Sequence, residues 1–295
     1  MDDMISISFG AFKPSDEDMH GIRLLLQQIF LKDKTVGLDR LTECLMKEET
    51  TLVIKQTEEE EESNDDQDDD QDEDKDKDED GSDDDEDQVY GVTSLVDLSN
   101  KSSGAKDVMS YLNKKMKRKN GFEKTALVIN ERFVNLSLSL ALPCLESILQ
   151  DQRPFEKYIL ICKILKFKNK RKRTKEQGNK KKKRKQDDQS SSSSSASEVD
   201  QDDQEQDMDL DMDMDMQYQN PEEELFVDQV SNDCFFDFCV KDDSPDNDIR
   251  GGNWDEDDVK MTPFRRVLFL TRKQLEDGVR ALKQDLTQSS NGQKK

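Results

Sequence analysis

Residues 53–98 read VIKQTEEEEESNDDQDDDQDEDKDKDEDGSDDDEDQVYGVTSLVDL. A β-branched segment ending at Thr57 runs into 22 acids in 30 residues, relieved only by Lys75 and Lys77, and a second such segment begins at Val89. β-branched residues suit a pleated, half-buried surface, so both flanks are read as strands. The tract between them, residues 58–87, carries a net charge of −20 and too little apolar surface to offset its ordering entropy. It is expected to be disordered. Long loops are tolerated, because each doubling of length costs only about 0.6 kcal/mol in closure entropy. The two strands are therefore expected to be neighbours in one sheet, joined by the tract.

The same separation of fold from charge runs through the whole chain. Of 295 residues, 39% are charged and 32% hydrophobic, far from the globular average, and the net charge is −24. Residues 166–185 carry +12 and residues 187–224 carry −15, so with the first tract they account for −23 of that total. The remainder is nearly neutral and large enough for one compact domain. Five cysteines, Cys44, Cys144, Cys162, Cys234 and Cys239, form no CxxC pair. The odd count, among mostly apolar neighbours and without a secretory signal pattern, points to free thiols in a reducing intracellular compartment. No apolar run approaches the length needed to span a bilayer.

Outward from the opening stretch, residues 4–12 alternate as a strand. Ser15 opens a helix whose Ile22, Leu25, Leu26, Ile29 and Phe30 repeat at helical spacing on one buried face. Leu38, Leu41, Leu45 and Met46 mark a shorter helix. Residues 105–117 suggest a basic surface helix, TALVIN a buried strand, and Leu138 to Leu149 a helix beginning near Pro143. KYILICKILKF, DCFFDFCV and FRRVLFL read as strands, and 272–286 as a last helix. The order β-α-α-β-β-α-β-α-β-β-β-α predicts a single α/β domain with a mixed sheet and helices on its faces. It would span residues 1–287, interrupted by disordered loops at 58–87 and 167–224, with 288–295 as a tail.

Several of these segments resemble the BCCIP family of eukaryotic nuclear proteins: GIRLLLQQIFLK, VIKQT followed by an acidic run, VYGVTSLVDL, INERFVNLSLSLALP and GGNWDEDDVKMTPFRRVLFL, in the family's order. The resemblance implies an α/β core like that of an acetyltransferase but without a cofactor site. It implies non-enzymatic work: chaperoning a large-subunit ribosomal protein, ribosome assembly and nuclear export. Animal members of the family bind a recombination mediator and a cell-cycle inhibitor. A nuclear protein that shuttles to the cytoplasm is the corresponding expectation.

The residues themselves leave paired readings. The acidic run, with Glu58, Glu59, Glu60, Glu61, Glu62, Asp83, Asp84 and Asp85 at its two ends, is either a solvated insert or an electrostatic trap for a basic client. A ribosomal protein away from its RNA is such a client, and an acidic chain can stand in for phosphates. The same field repels nucleic acid, so no direct DNA binding is expected. Asp76, Asp78, Asp80, Gly81 and Asp87 have the spacing of an EF-hand loop. The last is Asp rather than a bidentate Glu, Asp83 stands where an aliphatic is wanted, and no amphipathic helices flank the loop. Lys170, Arg171, Lys172 and Arg173, then Lys180, Lys181, Lys182, Lys183, Arg184 and Lys185, form two basic clusters that read as a nuclear or nucleolar import signal, as an RNA-contacting arm, or as counter-charge for the acids. DMDLDMDMDM, residues 207–216, has a strand's period of two, but its acid density argues for low complexity or a sticky client-binding segment. Ser63, Ser82 and Ser197 each precede an acid by three positions and suit an acid-directed kinase, whose phosphates would add charge of the same sign. Phe133 is expected in the core, Gly251 and Gly252 in a turn, and Trp254 in the turn or as an interface anchor.

Catalytic chemistry finds few residues. His20 is the one histidine, expected to face solvent beside the first helix, so no Ser-His-Asp or Cys-His arrangement is available elsewhere. After TALVIN the chain reads ERFVN, where an acyltransferase would offer glycines and backbone N–H groups to a pyrophosphate. The expectation is a protein that is not an enzyme and holds no cofactor or metal.

Overall fold

The computed structural model describes residues 7–31, 33–57, 88–100, 102–116, 121–168, 214–240 and 261–292. The chain opens with strand β1 (Ser8–Phe12), then helices α1 (Met19–Phe30) and α2 (Leu38–Met46). Strands β2 (Leu52–Thr57) and β3 (Gly91–Asp97) follow, then α3 (Ser103–Met116), β4 (Thr125–Arg132), α4 (Ala141–Leu149) and β5 (Lys157–Lys168). The C-terminal part contributes β6 (Met214–Tyr218), α5 (Glu222–Val227), β7 (Phe235–Cys239), β8 (Met261–Leu270) and α6 (Arg272–Gly292).

The strands form one mixed sheet in the order β1-β2-β3-β4-β5-β8-β7, with β6 added to β5. β2 and β3 are antiparallel neighbours, as the opening stretch predicts. Each face of the sheet is covered. On one side Ile22, Leu25, Leu26, Ile29 and Phe30 of α1 pack with α2, α3 and the inward residues Val53, Val92, Leu127 and Ile159. On the other, α4, α5 and α6 pack on Leu95, Val128, Leu160 and Leu268. Ser15 starts α1 through a short 3-10 turn, its backbone N–H donating to the Asp18 carboxylate at 2.7 Å. Asp18 is fully buried and lies 2.6 Å from Lys55 of β2, which fixes the helix to the sheet.

Helix α3 is more than a basic surface helix. Lys114 and Lys115 lie in its last turn, where cations suit the helix dipole, but Ala105, Val108, Tyr111 and Leu112 are core residues. It approaches α2 so closely that a Cβ at Gly104 would lie 2.6 Å from the Arg40 carbonyl oxygen. Pro143 is the third residue of α4, a position whose N–H has no intrahelical partner, so the helix begins near it as expected. Helix α6 runs to Gly292, so residues 288–292 are helix rather than tail.

Two elements occur where the sequence reading places a disordered loop. β6 and α5 both begin within 167–224, and β5 itself continues to Lys168. The reason is a demand created by tertiary structure. β4 pairs parallel with β5 only from Thr125↔Lys157 to Val128↔Leu160, and β5 then runs on without it. The later half of β5 needs a partner for its backbone groups. β6 supplies it in antiparallel register, Ile164↔Tyr218 to Lys168↔Met214. Backbone pairing at that edge overrides the acid density of the Asp-Met alternation.

Candidate functional site

Where β4 and β5 part, a wedge opens at the C-terminal ends of both strands. Asn130, Glu131 and Arg132 project from β4, and Lys163 from β5, a lysine set in the middle of an apolar run. The turn after β6 and the first turn of α5 fill the wedge with Asn220, Glu222 and Glu223. Every one of these side chains is at most 6% exposed.

The contacts form one connected network. Glu222 accepts from Asn130 Nδ2 at 2.9 Å, from Arg132 Nη2 at 2.8 Å and from Arg132 Nη1. Lys163 Nζ donates to Glu131 and, at 3.0 Å, to Gln28 of α1. Asn220 Nδ2 donates to Glu223 at 3.0 Å and to the Asn130 carbonyl at 3.3 Å. The Lys163 N–H, which has lost its β4 neighbour, donates to Glu223 at 3.2 Å, and its carbonyl accepts from Gln219 N–H at 2.9 Å. Beside these, Arg265 of β8 donates to the carbonyls of Gln28 and Ile29 at 2.6 and 2.7 Å, capping the orphan acceptors at the end of α1.

Three cations, Arg132, Lys163 and Arg265, thus face three carboxylates, Glu131, Glu222 and Glu223. Burial pushes the Glu131 carboxyl up, against the pull of Lys163. Burial, then the Glu131 and Glu222 charges, push Glu223 well above the usual carboxylate range. The wedge is therefore occupied by the chain's own charged side chains, and the backbone donor that the splay exposes is already taken by a carboxylate. Edge strand β7 is pinned in a similar way, Asp237 bridging Arg266 at 2.7 Å and Lys166 at 2.7 Å.

The same end of the sheet holds the ends of all three long insertions. Thr57 and Gly91 lie there through the pairs Ser8↔Thr57 and Gly91↔Arg132. Lys168 and Met214 pair with each other, and Cys239 and Met261 lie beside Phe264 and Phe167. Segments 58–87, 169–213 and 241–260 therefore leave and return at one end, with sequence charges of −20, −1 and −5. Next to the first pair of anchors, Phe9 and Tyr90 meet edge to face at 5.2 Å, as do Tyr90 and Phe133 at 5.9 Å.

The acidic residues Glu58–Glu62 and Asp83–Asp85, both basic clusters, Trp254, the three serines and the EF-hand-spaced aspartates lie outside the described residues. Phe133 packs against the first core as expected, and His20 is exposed. Cys44, Cys144 and Cys162 are buried free thiols, and Cys234 and Cys239 are partly buried. Sequence reasoning missed Asn130, Arg132, Lys163, Asn220, Glu222 and Glu223. The available signal was charge inside apolar strands: Lys163 within KYILICKILKF, and Arg265 and Arg266 within FRRVLFL. Among the described residues, no group of three or more His, Cys, Asp or Glu side chains is placed to hold a metal ion, and no helix is long and apolar enough to cross a membrane.

Comparison with known proteins agrees with the residues quoted for the resemblance. The chain is 27% identical to the BRCA2 and CDKN1A-interacting protein of Mus musculus over 96% of its own length and 81% of the relative's. Against the protein of that name from Homo sapiens the figures are 26%, 97% and 83%. The Protein BCCIP homolog of Danio rerio is 23% identical over 90% of this chain and 79% of its own. A crystal structure of BCP1 from Saccharomyces cerevisiae aligns with a TM-score of 0.49 at 16% identity, covering 95% of this chain and 89% of that one. The BCCIP family model matches residues 4–226, a range that takes in both strands of the wedge and the Asn220, Glu222 and Glu223 that fill it, and the chain belongs to the BCCIP family.

Proposed function

We propose that this protein is a non-enzymatic nuclear escort for a basic client, a large-subunit ribosomal protein on its way to ribosome assembly and export. The observation that carries the reading is the convergence of three charged insertions on one end of a nearly neutral sheet. All three are anchored at that end and two of them are net acidic, so a polycation captured by either is kept near the fold. That closeness raises the effective concentration for a second contact without a rigid site. Long-range attraction steers the encounter, and short-range contacts with the fold choose the partner.

The filled wedge supports the non-enzymatic part. An acyl-carrier pyrophosphate needs free backbone donors between the splayed strands. In this protein Glu223 takes the Lys163 N–H, and buried side chains already fill the space between the strands. A calorimetric titration with acetyl-CoA tests this directly, and measurable binding would sink it.

The experiment for the client is the binding kinetics of a purified basic ribosomal protein at several salt concentrations, wild type against a variant lacking 58–87. The deletion should slow association and flatten its salt dependence, because exposed charge is screened over about 8–10 Å near physiological salt. Dissociation should change little. Equal association rates and equal salt slopes would reduce the tract to a solubility insert. A second reading rests on the relatives named for BRCA2 and CDKN1A: a scaffold for repair or cell-cycle proteins. Pull-down from nuclear extract separates the two, a stoichiometric ribosomal protein favouring the escort and repair factors favouring the scaffold.

A further inference from the structure

Ser15 satisfies the rule that marks Ser63, Ser82 and Ser197, an acid three positions on, and it alone of the four lies among the described residues. Its acids are also the densest possible: Asp16, Glu17 and Asp18 occupy all three following positions. The fold leaves the start of this run in solvent. Ser15, Asp16 and Glu17 are exposed on the turn between β1 and α1, where an enzyme with a basic cleft can reach the hydroxyl and the two acids beside it.

Asp18 supplies the second observation. It is 0% exposed and joins three parts of the fold. Its Oδ2 accepts from the Ser15 N–H at 2.7 Å and from the Ser15 hydroxyl at 3.2 Å, and its Oδ1 lies 2.6 Å from Lys55 Nζ of β2. The hydroxyl bond is long for O–H···O, so the oxygen is available from solvent without the loss of a strong contact. The serine whose side chain is accessible is thus bonded to the carboxylate that ties α1 to the sheet.

We propose that Ser15 is a phosphorylation site for an acid-directed kinase, and that its phosphate unties the start of α1 from β2. Ser15 Oγ attacks the γ-phosphorus of ATP. The O–P bond forms as the bond from that phosphorus to the bridging oxygen breaks, ADP leaves, and the hydroxyl proton passes to a carboxylate base of the kinase. The product carries a charge of about −1.5 to −2 beside Asp18 and no longer has a hydroxyl proton to donate to it. The helix dipole favours an anion here, but three acids already share that field. The buried Asp18 charge is poorly screened, so its repulsion with the phosphate outweighs the dipole. The phosphate also competes for Lys55, while nearby Lys13 is engaged by the Glu49 carbonyl. This inference is independent of the client reading.

The test uses the full chain, a purified acid-directed serine kinase with Mg-ATP, and an acidic control peptide that reports the enzyme as active. Site-resolved peptide mass spectrometry should find phosphate on Ser15 and none there in Ser15→Ala. Asp16→Asn with Glu17→Gln should slow modification of Ser15 by about tenfold, the loss of a charge-assisted contact, and leave Ser63, Ser82 and Ser197 at their wild-type rates. Amide exchange over residues 16–22 should quicken by about fivefold in Ser15→Ala, the loss of a cap, and by more than that in the phosphorylated chain. An unmodified Ser15 beside a modified control peptide would overturn the site. Modification at the wild-type rate without Asp16 and Glu17 would overturn the acid-directed reading. Phosphate on Ser15 with exchange no faster than in Ser15→Ala would show that its charge does not untie the helix, and would overturn the second half of the proposal.

Discussion

Glu222 holds the wedge together, and its removal gives the sharpest test of the geometry. The carboxylate is fully buried and accepts from Asn130 and from both Nη atoms of Arg132, which is itself 4% exposed. Glu222→Ala leaves the Arg132 charge buried without its partner. Breaking a buried pair from one side costs about 3–5 kcal/mol, far more than the net worth of the pair, because the remaining charge keeps its desolvation penalty. In a domain of this size each kcal/mol lowers Tm by about 2–4 °C, so the midpoint should fall by about 6–20 °C. The measurement is thermal unfolding with a urea titration as a second readout. Two comparisons isolate the cause. Arg132→Met combined with Glu222→Leu removes both charges and should recover more than half of the loss. Lys124→Ala, which breaks a 2.6 Å pair with Glu156 at an exposed site, should leave the midpoint unchanged. A loss below about 1 kcal/mol for Glu222→Ala would mean that the pair behaves as an exposed one and that the wedge is not sealed.

Three further outcomes are expected. Glu223 binds its proton more tightly in the folded state, so its contribution is present below the unfolded carboxylate pKa and lost as pH rises through the raised folded value. Glu223→Gln cannot release that proton, and its Tm should decline less than that of wild type between about pH 5 and pH 9, whereas parallel curves would reject the assignment. A Cβ at Gly278 of α6 would lie 2.3 Å from the Phe226 ring, so Gly278→Ala should displace α5, cost about 1–3 kcal/mol and speed amide exchange over 222–227. Unchanged exchange there would show that α5 is held without this contact. Glutamine at Lys170, Arg171, Lys172 and Arg173 and across 180–185 should leave a tagged chain cytoplasmic, and unaltered nuclear accumulation would move the import signal elsewhere.

The sequence alone determined the elements whose cause is local. Ile22, Leu25, Leu26, Ile29 and Phe30 announce α1 because a helix repeats every 3.6 residues, and each is buried as that spacing requires. The β2 and β3 segments were legible on either side of the acidic tract because β-branched residues and the abrupt change in composition lie within one short window. The charge tracts and the family resemblance were legible for the same reason. Tertiary structure decided what depends on partners far along the chain. β6 is a strand because β5, some 50 residues earlier, parts from β4 and needs hydrogen bonds. Asp density in the local sequence argues the other way and loses. Glu222 and Glu223 read as two more acids at the end of a charged tract. They are buried because Arg132 lies 90 positions away and Lys163 60 positions away in sequence, yet within hydrogen-bonding distance in space. A window of sequence measures propensity and solvation, and it cannot see a counter-charge delivered by another strand. Nor could it show that 58–87, 169–213 and 241–260 share one end of the sheet, since that follows from strand order and direction, which are properties of the assembled fold.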